Sequence, residues 1–440
     1  MAGADGVPID AAGAWAASGL MSLSGRPDGR GSGAPVALVA GAHRFAADIA
    51  RTSALVGRGE VVVDPLALIA ERAAVSGLTR GGLVSCGRST RLMPSQNGWV
   101  AATVARPEDW ELLPALLERP SSSIAPGDWA ALEAGVAGLD GEELRDRSAL
   151  LGVALAVLGE RRAETSSRLG QRHALQQDHA DRQDDAIRQD HAIHGIRHRR
   201  VGSAPAVASG AQLVVADLSA LWAGPLAARL LGECGARVIK VESTNRPDGA
   251  RRGVPGFYAL LNSGKASVAL DFDAAEGRRG LARLASRADV VITACRPRAL
   301  EQLGLDPDAI TGDERPKVWL MITGYGTVGA SATRVAFGDD AAVAGGLVGW
   351  DGHTPCFIGD AIADPLTGLA AAAAILGALV GDGAWVIEAS MADIAGGLTG
   401  PPLAIDGRAP SLPRIGDRPD ASVAALGADT ARIMDELAGT

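Results

Sequence analysis

Residues 213–242 read LVVADLSALWAGPLAARLLGECGARVIKVE. A β-branched apolar run, Leu213 to Leu218, turns into an Ala/Leu-rich segment, Pro225 to Glu233, and returns as a second β-branched run, Arg237 to Glu242. Gly224 and Pro225 suit a helix start, because a proline in the first turn lacks an N–H that would have no helical partner there. The free N–H groups of such a turn suit a phosphate, although many strand-helix-strand units look the same. The alternation continues, with strands predicted at Ser267 to Phe272, Val290 to Thr293, Val318 to Thr323 and Trp385 to Ala389, and helices at Gly277 to Arg287 and Asp364 to Leu379. This pattern predicts an α/β fold, a parallel sheet wrapped by helices, whose ligands bind beyond the carboxyl ends of the strands.

The 440 residues predict two or three domains. Hydrophobic residues make up 47% and charged residues 21%, a globular balance, while Ala and Gly rather than aromatics supply much of the apolar count. A net charge of -9 opposes general affinity for nucleic acid or anionic membrane and favours small-molecule partners. Cys86, Cys234, Cys295 and Cys356 are far apart and suggest neither a zinc ribbon nor a disulfide framework. No basic residue precedes Arg26, and the run Leu369 to Val380 is shorter than the ~20 residues of a membrane span, so a cytoplasmic protein is expected.

Gln171 to Arg200 interrupts this composition with the imperfect repeat DHADRQ, DDAIRQ, DHAIHG. So polar a repeat reads as a solvated helix or linker, ahead of a His/Asp metal site that the metal itself would have to order. The expected organisation is a smaller α+β half over 1–165, a polar linker over 166–204 and a catalytic half over 205–440. In the first half, Gly82 to Glu118 reads as a turn-rich start, a strand at Trp99 to Ala105 and a helix after Pro107, with another helix and the run Val153 to Leu158 further on.

Three further places carry candidate chemistry. Asn262, Gly264 and Lys265 precede a strand, where a lysine can meet a phosphate or simply face solvent. Gly324, Gly326 and Gly329 surround Tyr325 in a loop that suits either an active site or a structural turn. Asp360 and Asp364 precede a strongly apolar helix. With Pro365 at its first position, Asp364 reads equally as an N-cap and as a carboxylate held toward a ligand.

Taken in order, five segments resemble the class III CoA transferases, the family of formyl-CoA transferase, carnitine CoA transferase and α-methylacyl-CoA racemase. They are DLSALWAGPLAARLLGECGARVIKVE, NSGKASVALDF, ADVVITACRPRALEQLGL, WLMITGYG and GDAIADPLTG. PSLPRIGDRPDASVAALGAD resembles the family's tail. SCGRSTRLMPSQNGWVAATVARPEDWELLPALLE resembles its small domain, which normally follows the aspartate segment, and WAASGLMSLSGRPDG resembles the lead into that segment, with a partial echo in VAGGLVGWDG. The halves thus look rearranged, with no recognisable nucleophile in the first.

The resemblance implies a Rossmann-like large domain with a smaller α+β domain, and an interlocked homodimer. It implies Asp364 as nucleophile, and Trp222, Ala223, Asn262, Ser263, Gly264, Lys265, Gly324 and Tyr325 near coenzyme A, which is bound as a substrate and not as a permanent cofactor. No metal is implied. The family's Glu-Asn-Phe is Thr293, Ala294 and Cys295 here and a frequent basic residue is Ser243, departures that Arg251, Arg252 or Arg296 would have to offset. The expected activity is CoA transfer between an acyl-CoA and a carboxylic acid. An α-methylacyl-CoA racemase is the weaker enzyme reading, since Phe337 stands where its histidine is expected, and a non-catalytic CoA-binding protein is the reading from another class.

Overall fold

The computed structural model describes residues 10–57, 59–162, 193–312, 317–416 and 422–438. A small antiparallel sheet is made of β1 (Thr90–Ser95), β2 (Gly98–Thr103) and β3 (Ala154–Val157). The main sheet comprises β4 (Ile196–Gly202), β5 (Val214–Asp217), β6 (Arg237–Ser243), β7 (Ala266–Leu270), β8 (Val290–Thr293), β9 (Val318–Thr323) and β12 (Ala384–Ser390), in the order β4-β12-β9-β8-β5-β6-β7. A hairpin of β10 (Gly349–Asp351) and β11 (Thr354–Cys356) stands apart. All neighbours in the main sheet are parallel except β4, which runs antiparallel to β12. Mixed α/β architecture around a mostly parallel sheet is thus what the strand-helix alternation builds.

β8 and β9 are buried almost throughout, which is why VVIT and VWLMIT read as continuous apolar runs. β4 is the exception. Its sequence, IRHRRVG, was expected to lie in the polar linker over 166–204, yet it forms the sheet edge. An edge strand needs only backbone pairing on one side, and its charges stay outside, Arg197 with Glu388 and Arg199 with Asp308. Most of the His/Asp repeat, through residue 192, lies outside the described residues.

The helices are α1 (Ala11–Ala17), α2 (Val36–Val56), α3 (Pro65–Ser76), α4 (Asp109–Leu116), α5 (Trp129–Val136), α6 (Gly141–Leu151), α7 (Ala223–Glu233), α8 (Pro255–Asn262), α9 (Ala275–Arg287), α10 (Pro297–Leu303), α11 (Pro307–Ile310), α12 (Gly338–Gly345), α13 (Ala363–Val380), α14 (Met391–Gly397) and α15 (Thr430–Ala438). α4, α5 and α6 close a separate core over the small sheet, with Met93, Val100, Leu113, Leu132 and Leu155 inside. α1 to α3 do not join it. Trp15, Leu38, Phe45 and Ile69 share one core with Leu226, Leu320 and Ile375, so the core boundary does not fall near residue 165. The cause is α13, apolar on every side and needing cover all round. It has the length and composition of a membrane-crossing helix, but here it is packed among α2, α7, β12 and α14.

Candidate active site

Four carboxylates gather where α12 meets the start of α13. Asp360, fully buried, receives Arg72 Nη1 at 3.0 Å on each oxygen. Arg72 comes from α3, in the half of the chain before the main sheet, and its guanidinium lies 5.5 Å from the Trp222 ring and 5.3 Å from the Phe257 ring. Asp339 accepts the Ala361 N–H at 3.0 Å and the Thr90 hydroxyl at 3.2 Å. Asp340 accepts the Phe337 N–H and the Thr103 hydroxyl, both at 2.9 Å on one oxygen, and its other oxygen has no partner. Thr90 and Thr103 belong to β1 and β2, so both halves of the chain hold these acids.

Asp364 differs from the other three. Its side chain accepts no hydrogen bond from the described residues, and it remains partly exposed. The helix N-cap is Ile362, which leaves Asp364 as the second residue of α13 and Pro365 as the third. The capping role open from the sequence is therefore not the one it fills. Its own N–H bonds to the Ala361 carbonyl at 2.9 Å, and a Cβ on Gly338 would stand 2.5 Å from its Oδ2, so glycine backbone forms one wall. The helix start favours negative charge here. Burial nonetheless pushes Asp364 up to about 7, Arg72 pulls it down, and Asp339, Asp340 and Asp360 push it up further. Burial likewise raises Asp360, against Arg72, and Asp340, against its two donors, to about 7 each.

Backbone strain collects at the same place. Ala361, with φ 42°, and Leu221, with φ 67°, adopt left-handed conformations that cost non-glycine residues energy. Arg88, with φ 66°, follows Gly87, whose Cβ position faces Arg72 Nη2 at 3.4 Å. The turn before Trp222 is fastened by buried charge. Asp248 accepts the Leu221 N–H at 3.0 Å, Lys240 donates to the Ser219 carbonyl, and Lys240 pairs with Asp248 at 3.0 Å.

Of the residues expected near coenzyme A, Trp222 lies against Arg72, and Tyr325 is near enough to Asp340 to feel its charge. Trp222 caps α7 beneath Arg72, and α7 crosses α13 so tightly that a Cβ on Gly368 would lie 2.8 Å from the Ala223 carbonyl. Lys265 is buried, with its ammonium 2.8 Å from Asp217 and 2.9 Å from the Pro225 carbonyl. Burial lowers it to about 8, although Asp217 opposes that shift, and a phosphate would have to compete with this carboxylate. Asn262 donates to the Tyr258 carbonyl at 3.1 Å, and its side-chain oxygen has no hydrogen-bond partner among the described residues. Ser263 closes α8, and the Gly264 N–H is held by the Ser422 carbonyl at 3.1 Å. Gly324 lies against Ala336, and Tyr325 is buried under the Arg334 guanidinium, 3.6 Å from its ring centroid. Arg251 is taken up by Glu242 at 2.6 Å, whereas Arg252 is exposed and forms no ion pair among the described residues. His353 is exposed on the β10–β11 turn.

Sequence reasoning did not single out Arg72, Asp339 or Asp340. The available signals were a Glu-Arg pair inside the otherwise apolar α3, PLALIAERAAVS, and adjacent aspartates opening the equally apolar α12, GDDAAVAG.

CoA-transferase family III matches residues 211–423. The chain is 31% identical over 184 residues to an acyl-CoA transferase of Fusarium pseudograminearum, covering 38% of this chain and 40% of that protein. It is 32% identical over 201 residues to a probable fatty acyl-CoA transferase of Mycobacterium tuberculosis, covering 42% and 50%. It is also 32% identical over 176 residues to the human succinyl-CoA:glutarate CoA-transferase, covering 38% and 40%. A crystal structure of the mycobacterial protein aligns with a TM-score of 0.38 over 42% of this chain and 54% of that one, at 32% identity. The similarity to CoA-transferase family III is thus confined to residues 211–423, just under half of the chain. It spans 40% to 50% of the length of these three relatives.

Proposed function

We propose that the protein transfers coenzyme A from an acyl-CoA to a carboxylic acid, with Asp364 as the covalent relay. The observation that carries this reading is a partly exposed carboxylate with no hydrogen-bond partner among the described residues, beside three acids that are anchored. An Asp364 oxygen attacks the thioester carbon, the C–S bond breaks, and CoA leaves as thiolate from an aspartyl anhydride. The thiolate attacks the aspartyl carbonyl, which releases the first acid and leaves an aspartyl thioester. The acceptor carboxylate then displaces the thiolate to form a second anhydride, and the thiolate takes the new acyl group and frees Asp364. Overall one thioester is broken and one is formed, so the exchange needs no ATP.

The proposed CoA contacts are Trp222 and Ala223, at the head of α7, with Asn262, Ser263, Gly264, Lys265, Gly324 and Tyr325. The homodimer implied by the resemblance belongs to the same proposal. Incubation with an acyl-CoA and hydroxylamine tests the relay, because a trapped intermediate leaves an aspartyl hydroxamate, read by mass spectrometry, on the peptide bearing Asp364. Hydroxamate elsewhere, or at no position with any acyl-CoA of a broad panel, overturns it and favours the non-catalytic reading.

A further inference from the structure

The geometry points to Arg72 as a positioning residue that, through Asp360, keeps Asp364 a carboxylate and not a carboxylic acid. The inference rests on Asp364 being the relay, and it assigns a working part of that site to the half of the chain that precedes the main sheet. Arg72 is held on both oxygens of Asp360, four residues before Asp364, and its positive charge opposes the rise that burial imposes on Asp339, Asp360 and Asp364. It is also immobilised. One nitrogen is shared by both Asp360 oxygens, the guanidinium is flanked by Trp222 and Phe257, and the neighbouring Gly87 leaves it room. Its neighbour Glu71 is occupied by Arg229 of α7 at 3.2 Å, so that acid does not draw Arg72 away.

The charged groups around Asp364 can be named element by element. Asp360 lies on its own lead-in, Asp339 and Asp340 on α12, and Arg72 on α3. On α14, Asp393 is engaged by Arg161 at 2.8 Å. Asp339, Asp340 and Asp360 thus push Asp364 up, and Arg72 pulls it down. Asp360 serves as the anchor that fixes where the positive charge sits. A guanidinium held this way acts through space on the nucleophile and does not need to touch substrate.

The test is a carboxyl NMR titration of protein labelled with [13C]aspartate, in which the Asp364 signal is assigned by its loss in Asp364→Asn. Arg72→Met is expected to raise the Asp364 midpoint by about one pH unit, a tenfold tighter hold on the proton. Arg72→Lys, which keeps the charge, is expected to move it by less than half as much. Arg72→Gln, which removes the charge but keeps hydrogen-bonding capacity toward Asp360, is expected to raise it as Arg72→Met does, so this variant decides the matter if Arg72→Met does not fold. The acid limb of kcat/KM for CoA transfer should follow each midpoint in the same direction. An unmoved midpoint in folded Arg72→Met or Arg72→Gln overturns the assignment, since a merely structural role changes the melting temperature and not the titration. The two readings fail separately. A moved midpoint without hydroxamate ends the relay, and hydroxamate with an unmoved midpoint ends the role of Arg72.

Discussion

α2 and α13 lie against each other in one core, and the chain enters them in related ways. α1 leads into SGLMSLSG, residues 18–25, and α12 ends in GGLVGWDG, residues 345–352. In both octets the second and the last residues are glycines with positive φ, 91° and 95° in the first, 83° and 61° in the second. The two helices then begin differently. α2 starts after Pro35 with Val36 and Ala37 and has no acid in its first turn. α13 starts after the strained Ala361 and carries Asp364 at its second position, where α2 has Ala37. A long apolar helix entered through a glycine turn is thus only scaffold. What distinguishes the second helix is Asp360 in its lead-in, the acids of α12 behind it and the arginine brought across from α3.

Asp364→Asn tests this contrast most severely. Its expected effect is a loss of turnover of about a thousandfold or more with the fold retained, measured by transfer kinetics alongside circular dichroism. Gly338→Ala comes next, because the new methyl group would press on both the Ala361 carbonyl and Asp364. Overpacking of this kind is expected to cost about 1–3 kcal/mol in a denaturant titration and to lower kcat with it.

The acids of the second site should also mark the pH dependence of stability. Asp340, Asp360 and Asp364 titrate near 7 in the folded protein, well above the roughly 3.9 of an unfolded aspartate. The native state therefore holds more protons than the unfolded chain across that window, and stability falls as pH rises through it. His43 and His194, lowered by burial, act in the opposite direction near their ordinary range. A higher melting temperature at pH 6 than at pH 8, with the difference reduced in Asp340→Asn, is the expected scan. The mirror experiment places an acid in the plain helix. Ala37→Asp should add only about 0.3–1 kcal/mol by favourable placement at a helix start, and should give no hydroxamate at residue 37. Gly377→Ala has open space at an exposed position of α13, so it should stabilise the protein by up to about 1 kcal/mol in the same titration without touching the site.

The strand-helix rhythm was legible because the inner strands of a parallel sheet are apolar on both faces. β8 and β9 were read with the bounds they have, Val290 to Thr293 and Val318 to Thr323. β4 was not legible, since an edge strand with arginines at three of its seven positions carries no apolar signature. Asp360 and Asp364 could be singled out because they stand close together at the head of an apolar run. Their surroundings could not. Arg72 is 288 residues from Asp360 along the chain, and such a pairing leaves no periodicity or spacing to read. The helices α1 to α3 escaped for a related reason, because the core they complete belongs to α13 and α7.

The origin of Arg72 has one more consequence. The arginine and the threonines that grip α12 precede residue 163, and Asp360 and Asp364 follow residue 192. Neither stretch holds the whole arrangement by itself. Supplied as two separate polypeptides, the halves would work as a coincidence detector, with the titration of Asp364 reporting that they had found each other.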